Sequence, residues 1–104
     1  MLVVAAAAAV LALSACSSDA PATPTDPVLA EGQDIYNRQC ASCHGTSGQG
    51  GVGASMEGVA DRLTLDEHMA TVANGREGTS MPAFKDRLTP EEIEAVSRYE
   101  REVL

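Results

Sequence analysis

The sequence has few aromatic residues and few basic ones. Its 104 residues include one phenylalanine, two tyrosines and no tryptophan. Seven lysines and arginines stand against fifteen aspartates and glutamates, which gives a formal net charge of −8. Nucleic acids and anionic lipid surfaces attract clustered lysine and arginine, so this balance argues against binding to either. The acidity permits docking to a basic partner surface, and it equally suits plain solubility.

No apolar run is long enough to span a bilayer comfortably, which takes about 20 residues. The longest run, residues 1–13, is uncharged and matches the apolar core of an export signal. It leads into Leu13-Ser14-Ala15-Cys16, which resembles the cleavage motif of bacterial lipoproteins. That resemblance implies a signal peptide over residues 1–15 and acylation of Cys16. The mature protein would then be held in the cell envelope, on the outer face of the plasma membrane or in the periplasm. The alternative is an uncleaved apolar tether.

The segment after Cys16 cannot build a core. Residues 17–27 are small, polar and rich in proline, so we expect residues 16–27 to be a lipidated start and a linker. The folded domain is then residues 28–104. A domain of this size with so few aromatic side chains is marginal unless a metal, a disulfide or another group contributes to its core.

The domain is predicted to be all-α, because no stretch shows sustained alternation of apolar and polar residues. A first helix is expected from about Val28 to Cys40. A second begins near Thr64, where Thr64 and Glu67 have capping-box spacing, and ends at Asn74-Gly75. A third has Thr89 as its cap, Pro90 as its first residue and Glu92 as the return partner. The glycine-rich residues 45–58 are expected to be irregular backbone that wraps a bound group.

Cys40, Cys43 and His44 form a Cys-x-x-Cys-His motif, the attachment signature of c-type haem. The two thiols add across the two vinyl groups of the porphyrin, and the adjacent imidazole is held under the iron. A thioredoxin-like redox pair would need a strand–helix–strand setting, which the pattern lacks. A structural zinc site would need a fourth ligand, and His68 is the only other histidine.

An electron-transfer haem needs a second axial ligand, and a thioether raises the reduction potential. The candidates are Met56, Met69, Met81 and His68. Met56 follows His44 too closely, and His68 and Met69 fall in the predicted second helix. Met81 precedes Pro82, which blocks helix and lets a shaped loop present the thioether, so Met81 is the predicted sixth ligand. The alternative is a buried apolar methionine over an open iron.

From Glu31 to Leu104 the chain resembles the class I monohaem cytochromes c of the small bacterial type. Gly32 and Tyr36 match the glycine–aromatic pair of the family's first helix, and Tyr99 matches the aromatic residue of its last helix, which packs against that pair. The Cys-x-x-Cys-His motif and the Met81-Pro82 loop follow in the family's order. The resemblance implies a small cytochrome c fold around one covalent haem c, with His44 and Met81 as the axial ligands.

Two positions depart from the family pattern. The loop proline whose neighbourhood supplies a carbonyl to the ligand histidine is replaced near Ala54, where a backbone carbonyl can still serve. The family's tryptophan, a hydrogen-bond donor to a haem propionate, is missing, and Arg62 is the predicted substitute.

The resemblance implies an electron carrier rather than an enzyme. Its expected partners are a quinol-oxidising complex, a dehydrogenase or a terminal oxidase. Two alternatives stay open: a haem enzyme or gas sensor with a labile sixth ligand, and a fixed cytochrome subunit of a larger oxidoreductase.

Overall fold

The structure, a computed structural model, describes residues 20–104. The predicted signal peptide and Cys16 lie outside the described residues. The described chain contains five α-helices and no β-strand: α1 Pro27–Gln39, α2 Ala41–His44, α3 Val59–Arg62, α4 Leu65–Asn74 and α5 Pro90–Glu102. The predicted all-α fold is therefore confirmed. Between residues 20 and 104, no helix has the length and apolar character needed to cross a membrane.

Helices α4 and α5 begin at their predicted caps, and α1, for which no cap was predicted, begins one residue before Val28. Asp26 caps α1 by accepting a hydrogen bond from the Val28 amide at 2.8 Å, with Pro27 as the first helical residue. Thr64 and Glu67 form a complete capping box on α4, and Thr89 and Glu92 form another on α5. Each box satisfies two backbone amides that a helix start leaves without partners, so the starts are fixed locally.

The first helix ends one residue earlier than predicted. Cys40 leaves helical geometry, with φ −121° and ψ −35°, and the chain then makes the single turn of α2. The break separates Cys40, which closes α1, from Cys43 and His44, which lie on α2. The second one-turn helix, α3, was also not predicted; its left-handed N-cap, Gly58, closes the glycine-rich loop.

The core is built where α1 crosses α5. A Cβ added to Gly32 would lie 2.2 Å from the Ala95 carbonyl oxygen, so only glycine allows the two backbones to approach this closely. Next to the crossing, the Tyr36 and Tyr99 rings pack with centroids 5.5 Å apart at an angle of 51°. This arrangement confirms the expected contact between the Gly32–Tyr36 pair and Tyr99. Helix α5 also packs against α3 and α4, so it is the central element of the domain.

The end of the predicted linker lies against α1. The buried amide of Gln33 donates hydrogen bonds to the carbonyl oxygens of Pro21, at 2.9 Å, and Ala22, at 3.3 Å. The same amide lies 3.3 Å from the Tyr99 hydroxyl. These contacts tie the chain ahead of α1 to the α1–α5 crossing.

Candidate haem site

One cavity of about 740 Å³ opens between the Cys40–His44 turn, α4 and the loop that carries Met81. Every residue predicted for the haem site in the described chain lines it: Cys40, Cys43, His44, Arg62 and Met81. Its volume lies within the range of about 300–1,000 Å³ that is usual for ligand and cofactor pockets. The fold thus brings together residues that are up to 41 positions apart in the sequence.

The two cysteines of the motif differ in environment. Cys40 is buried and Cys43 is exposed, and neither is in a disulfide. Burial raises the pKa of the Cys40 thiol to about 12, and the nearby carboxylate of Glu100 adds to this effect. Before haem attachment Cys40 is therefore a neutral thiol at physiological pH. Among residues 20–104, no three His, Cys, Asp or Glu side chains are grouped so that they could hold a metal ion directly.

The His44 ring is held in one orientation by the loop that follows it. Its Nδ1 lies 2.7 Å from the Ala54 carbonyl oxygen. A carbonyl only accepts, so Nδ1 is the nitrogen that carries the hydrogen, and Nε2 keeps a free lone pair. The carbonyl expected near Ala54 is thus present, although the family's proline is not. This second contact fixes the tautomer in the way that metal-bound histidines require.

Gly53 supports the same ring from one side. A Cβ added to Gly53 would lie 2.7 Å from Cε1 and 2.8 Å from Nδ1 of His44. Gly53 does not have a positive φ, so its role comes from this contact and not from backbone conformation. Sequence reasoning assigned it no function, because no local pattern reveals which side chain a loop glycine faces.

The Met81 loop is anchored at the end of α4. Gly75 ends the helix with φ +69°, and a Cβ there would lie 2.7 Å from the Met81 carbonyl oxygen. The Arg76 amide donates to that carbonyl at 3.2 Å, and the Met81 amide donates to the Thr79 hydroxyl at 3.2 Å. Gly75, predicted as a helix terminator, therefore also lets the loop lie close to the helix, with the half-buried Met81 at the cavity wall.

The other candidate ligands are placed differently. Met69 does not line this cavity; it faces a separate apolar groove beside Leu88 and Ile93. Met56 and His68 do line it. The Nε2 atom of His68 is engaged with a carboxylate oxygen of Glu100 at 2.5 Å. The buried His68–Glu100 pair was not predicted, although the helical spacing of Ile93, Val96 and Glu100 indicates the inner face of α5.

Arg62 lies at the rim of the cavity and is exposed. Its guanidinium donates to the carbonyl oxygens of Glu57, at 2.6 Å, and Ser55, at 3.1 Å. These bonds use two of its five N–H donors and fix its position, so a positive charge stands at the cavity mouth. The charge is of the sign that a haem carboxylate needs.

The donor set and the cavity fit a c-type haem. Two thiols stand on the turn that carries the imidazole, a lone pair on His44 Nε2 is free, and a thioether lines the same space. Imidazole and thioether are the axial pair of electron-transfer cytochromes c.

The model of the family described as cytochrome c oxidase, cbb3-type, subunit III matches residues 27–99. The chain belongs to this family.

The cytochrome domain is a class I monohaem cytochrome c that binds haem c covalently. It is 36% identical over 61 residues to a cbb3-type cytochrome c oxidase subunit CcoP from Azospirillum sp. (strain B510). That match covers 46% of this chain and 20% of the relative, so the chain spans only about a fifth of that subunit's length.

Solved structures of small c-type cytochromes share the fold. The c-type cytochrome NirC aligns with a TM-score of 0.62 and 28% identity, over 76% of this chain and 94% of its own. Cytochrome c6 from the diatom Phaeodactylum tricornutum aligns with a TM-score of 0.59 and 30% identity, over 70% of this chain and 90% of its own. The dihydro-haem d1 dehydrogenase NirN aligns with a TM-score of 0.68 and 26% identity over 72% of this chain. That likeness covers only 16% of the dehydrogenase.

Proposed function

We propose that this electron-transfer cytochrome is a single-haem carrier whose axial ligands are His44 and Met81. The observation that carries the proposal is the presence of both side chains on one cavity, with the imidazole already fixed in the ligating tautomer. When bound, haem supplies a one-electron couple. With both axial positions taken by the protein, no position stays open to a substrate, so the protein transfers electrons and is not an enzyme.

The two cysteines and Arg62 hold the group in this proposal. Cys40 and Cys43 are the covalent anchors and lose their thiol chemistry once attached. The Arg62 guanidinium, fixed by two backbone carbonyls at the rim, pairs with a haem carboxylate. Its positive charge also opposes the formation of ferric iron, so it contributes to a higher reduction potential.

His44 and Met81 would both hold the iron and would shift its reduction potential in opposite directions. The bond from Nδ1 to the Ala54 carbonyl makes His44 a better electron donor to the iron. The Met81 thioether works in the other direction and favours the reduced state. A thioether that leaves the iron would convert the protein into a site for gases or peroxide, which is the alternative of a haem enzyme or sensor.

The binding of small exogenous ligands distinguishes the electron carrier from the haem enzyme or sensor. The reduced native protein should bind carbon monoxide slowly and weakly at neutral pH, because Met81 must first dissociate. The Met81→Ala variant should bind it quickly and stoichiometrically. Fast, tight binding by the native protein would contradict the carrier proposal and favour the sensor or enzyme.

We also propose that the carrier is tethered to the membrane through a lipid on Cys16. The lipoprotein-like motif supports this proposal, and the contacts that Pro21 and Ala22 make with Gln33 of α1 would hold the end of the linker on the domain. A short tether keeps the domain near its partners and raises their effective concentration. Mass spectrometry of the native protein should show haem and acyl groups on a chain that begins at Cys16. An intact residue 1–15 segment without lipid would contradict the anchor.

The proposed partners are redox proteins of the cell envelope. A terminal oxidase is supported by the relative named as a cbb3-type oxidase subunit, and a quinol-oxidising complex or a dehydrogenase could supply the electrons. The net charge of −8 favours a basic docking surface on the partner. Redox encounters bury little area, below about 1,200 Å², so the contact would be brief.

The same family match favours a second candidate, a fixed cytochrome subunit of a larger oxidoreductase. Gentle detergent extraction followed by size-exclusion chromatography separates the two candidates. A carrier should elute as a single small species, whereas a subunit should co-elute with its complex.

A further inference from the structure

His68 of α4 and Glu100 of α5 form a buried ionisable pair in the wall of the haem cavity. Their exposed fractions are 3% and 4%, and His68 Nε2 lies 2.5 Å from a Glu100 carboxylate oxygen. Both residues line the same cavity as His44 and Met81. The proposed electron transfer does not use this pair. Buried ionisable groups are costly to keep, so their presence in this wall calls for a function.

The pair has two accessible charge states. A neutral His68 that donates from Nε2 to the Glu100 carboxylate gives a net charge of −1. A protonated His68 beside the same carboxylate gives a net charge of zero. The two states differ by one proton on His68 Nδ1, which is buried and has no hydrogen-bond partner within residues 20–104.

Several titratable and charged groups surround the pair. On attachment of the haem, the Cys40 thiol becomes a thioether. Burial and the Glu100 charge raise the pKa of Tyr36, which stays neutral. Nδ1 of His44 is bonded to Ala54, and its Nε2 is assigned to the iron. The other charged side chains that line the cavity are Arg62 and Arg76, and Arg101 follows Glu100 on α5. Asp66 and Glu67 precede His68 on α4, and both are exposed.

We propose that the His68–Glu100 pair binds a proton when the haem is reduced and releases it when the haem is oxidised. One electron passes from the redox donor to the ferric haem, and one proton passes from solvent to His68 Nδ1. No other bond forms or breaks. The electron adds a negative charge to the cavity, and the proton cancels the −1 of the pair. This coupling is strong because the charges interact in a wall that water does not screen.

The proposal rests on the haem occupying this cavity, and it does not depend on which residue is the sixth ligand. It predicts that the reduction potential falls as the pH rises, over the range where the oxidised protein has lost the proton and the reduced protein keeps it. With one proton per electron, the reduction equilibrium changes tenfold for each pH unit, which is about 59 mV for a one-electron couple. Outside that range the potential should be flat.

The test is a spectroelectrochemical titration of the holoprotein between about pH 5 and pH 9. The native protein should show the slope. His68→Leu/Glu100→Leu, which replaces the pair with apolar side chains of similar volume, should show none. Glu102→Gln is the matched control, because Glu102 is on the same helix and is also ion-paired, to Arg98, but at the surface. It should keep the native slope.

Two results of this titration would overturn the proposal. A native potential that does not change with pH would exclude any linked proton. A slope that survives in the double variant would assign the proton to the haem carboxylates instead. If the double variant fails to hold haem, nitrogen NMR of the native protein gives the answer. At a pH on the slope, His68 Nδ1 should carry a hydrogen only in the reduced state; the same protonation in both states contradicts the proposal. Loss of the Met81–iron bond would appear separately in the absorption spectrum.

Discussion

Gly53 gives the most direct test of how the chain orients His44, the proposed iron ligand. In Gly53→Ala the new methyl group would lie 2.7 Å from Cε1, 2.8 Å from Nδ1 and 3.1 Å from Nε2 of His44. Ordinary contact begins at 3.4 Å, so the ring must move by about 0.7 Å or the loop must open. Because Gly53 lacks a positive φ, the backbone itself tolerates alanine. Any effect must therefore come from this contact.

The size of the effect follows from two contributions. Overpacking a tight site costs about 1–3 kcal/mol. Movement of the ring also weakens the bond from Nδ1 to the Ala54 carbonyl, which is worth about 1 kcal/mol. In a domain of this size each kcal/mol lowers the melting temperature by about 4–8 °C. We expect a drop of at least that size, together with a changed reduction potential, because the imidazole loses its second partner.

Thermal unfolding followed by haem absorbance, and a redox titration, measure both effects in the same sample. Gly51→Ala is the matched control in the same loop, since its Cβ would meet only the Cys43 carbonyl oxygen, at 3.2 Å. It should change stability and potential much less. If Gly53→Ala has the native melting temperature and potential, the reasoning about His44 is refuted.

Three further predictions concern the scaffold. Gly32→Ala should destabilise the protein by about 1–3 kcal/mol through overpacking against Ala95, which exceeds the stabilisation from the higher helix propensity of alanine. The control Glu31→Ala, at an exposed position of the same helix, should be nearly neutral in thermal unfolding. Thr89→Ala should cost about 1 kcal/mol in urea unfolding by removing the α5 cap, and an unchanged midpoint would contradict the capping box. Burial raises the pKa of Tyr36 above its ordinary value of 10.0, so the unfolded chain ionises first. Stability from this group is present below pH 10 and is lost as the pH rises toward the folded pKa. Urea unfolding of Tyr36→Phe should therefore show a shallower alkaline loss than the native protein, with about 1 kcal/mol less stability at pH 7 from the missing bond to Gly45. Parallel curves above pH 10 would refute this assignment.

Features that depend on neighbouring residues could be predicted from the sequence. The caps at Thr64 and Thr89 need only the residue three positions later, and the Cys-x-x-Cys-His turn is set by its own spacing. The Gly75 terminator and the Met81-Pro82 loop are local in the same sense. Together with the family resemblance, these features were enough to predict the all-α fold and five of the residues that line the cavity: Cys40, Cys43, His44, Arg62 and Met81.

Features that depend on distant contacts could not be predicted. No local pattern marks the helix break at Cys40, and the contact between Gly53 and the His44 ring depends on the path of the whole loop. His68 was considered in the sequence only as a candidate iron ligand within the predicted second helix. Its partner, Glu100, is 32 positions away, and only the packing of α4 on α5 brings the two together.

The central claim is that Met81 completes the coordination that His44 begins. The most direct measurement is the absorption spectrum of the oxidised holoprotein, in which a thioether bonded to ferric haem gives a weak long-wavelength charge-transfer band. The native protein should show this band, Met56→Ala and Met69→Ala should keep it, and Met81→Ala should lose it while the haem stays covalently attached. A native spectrum without the band, or its loss in Met56→Ala or Met69→Ala instead, would contradict the account.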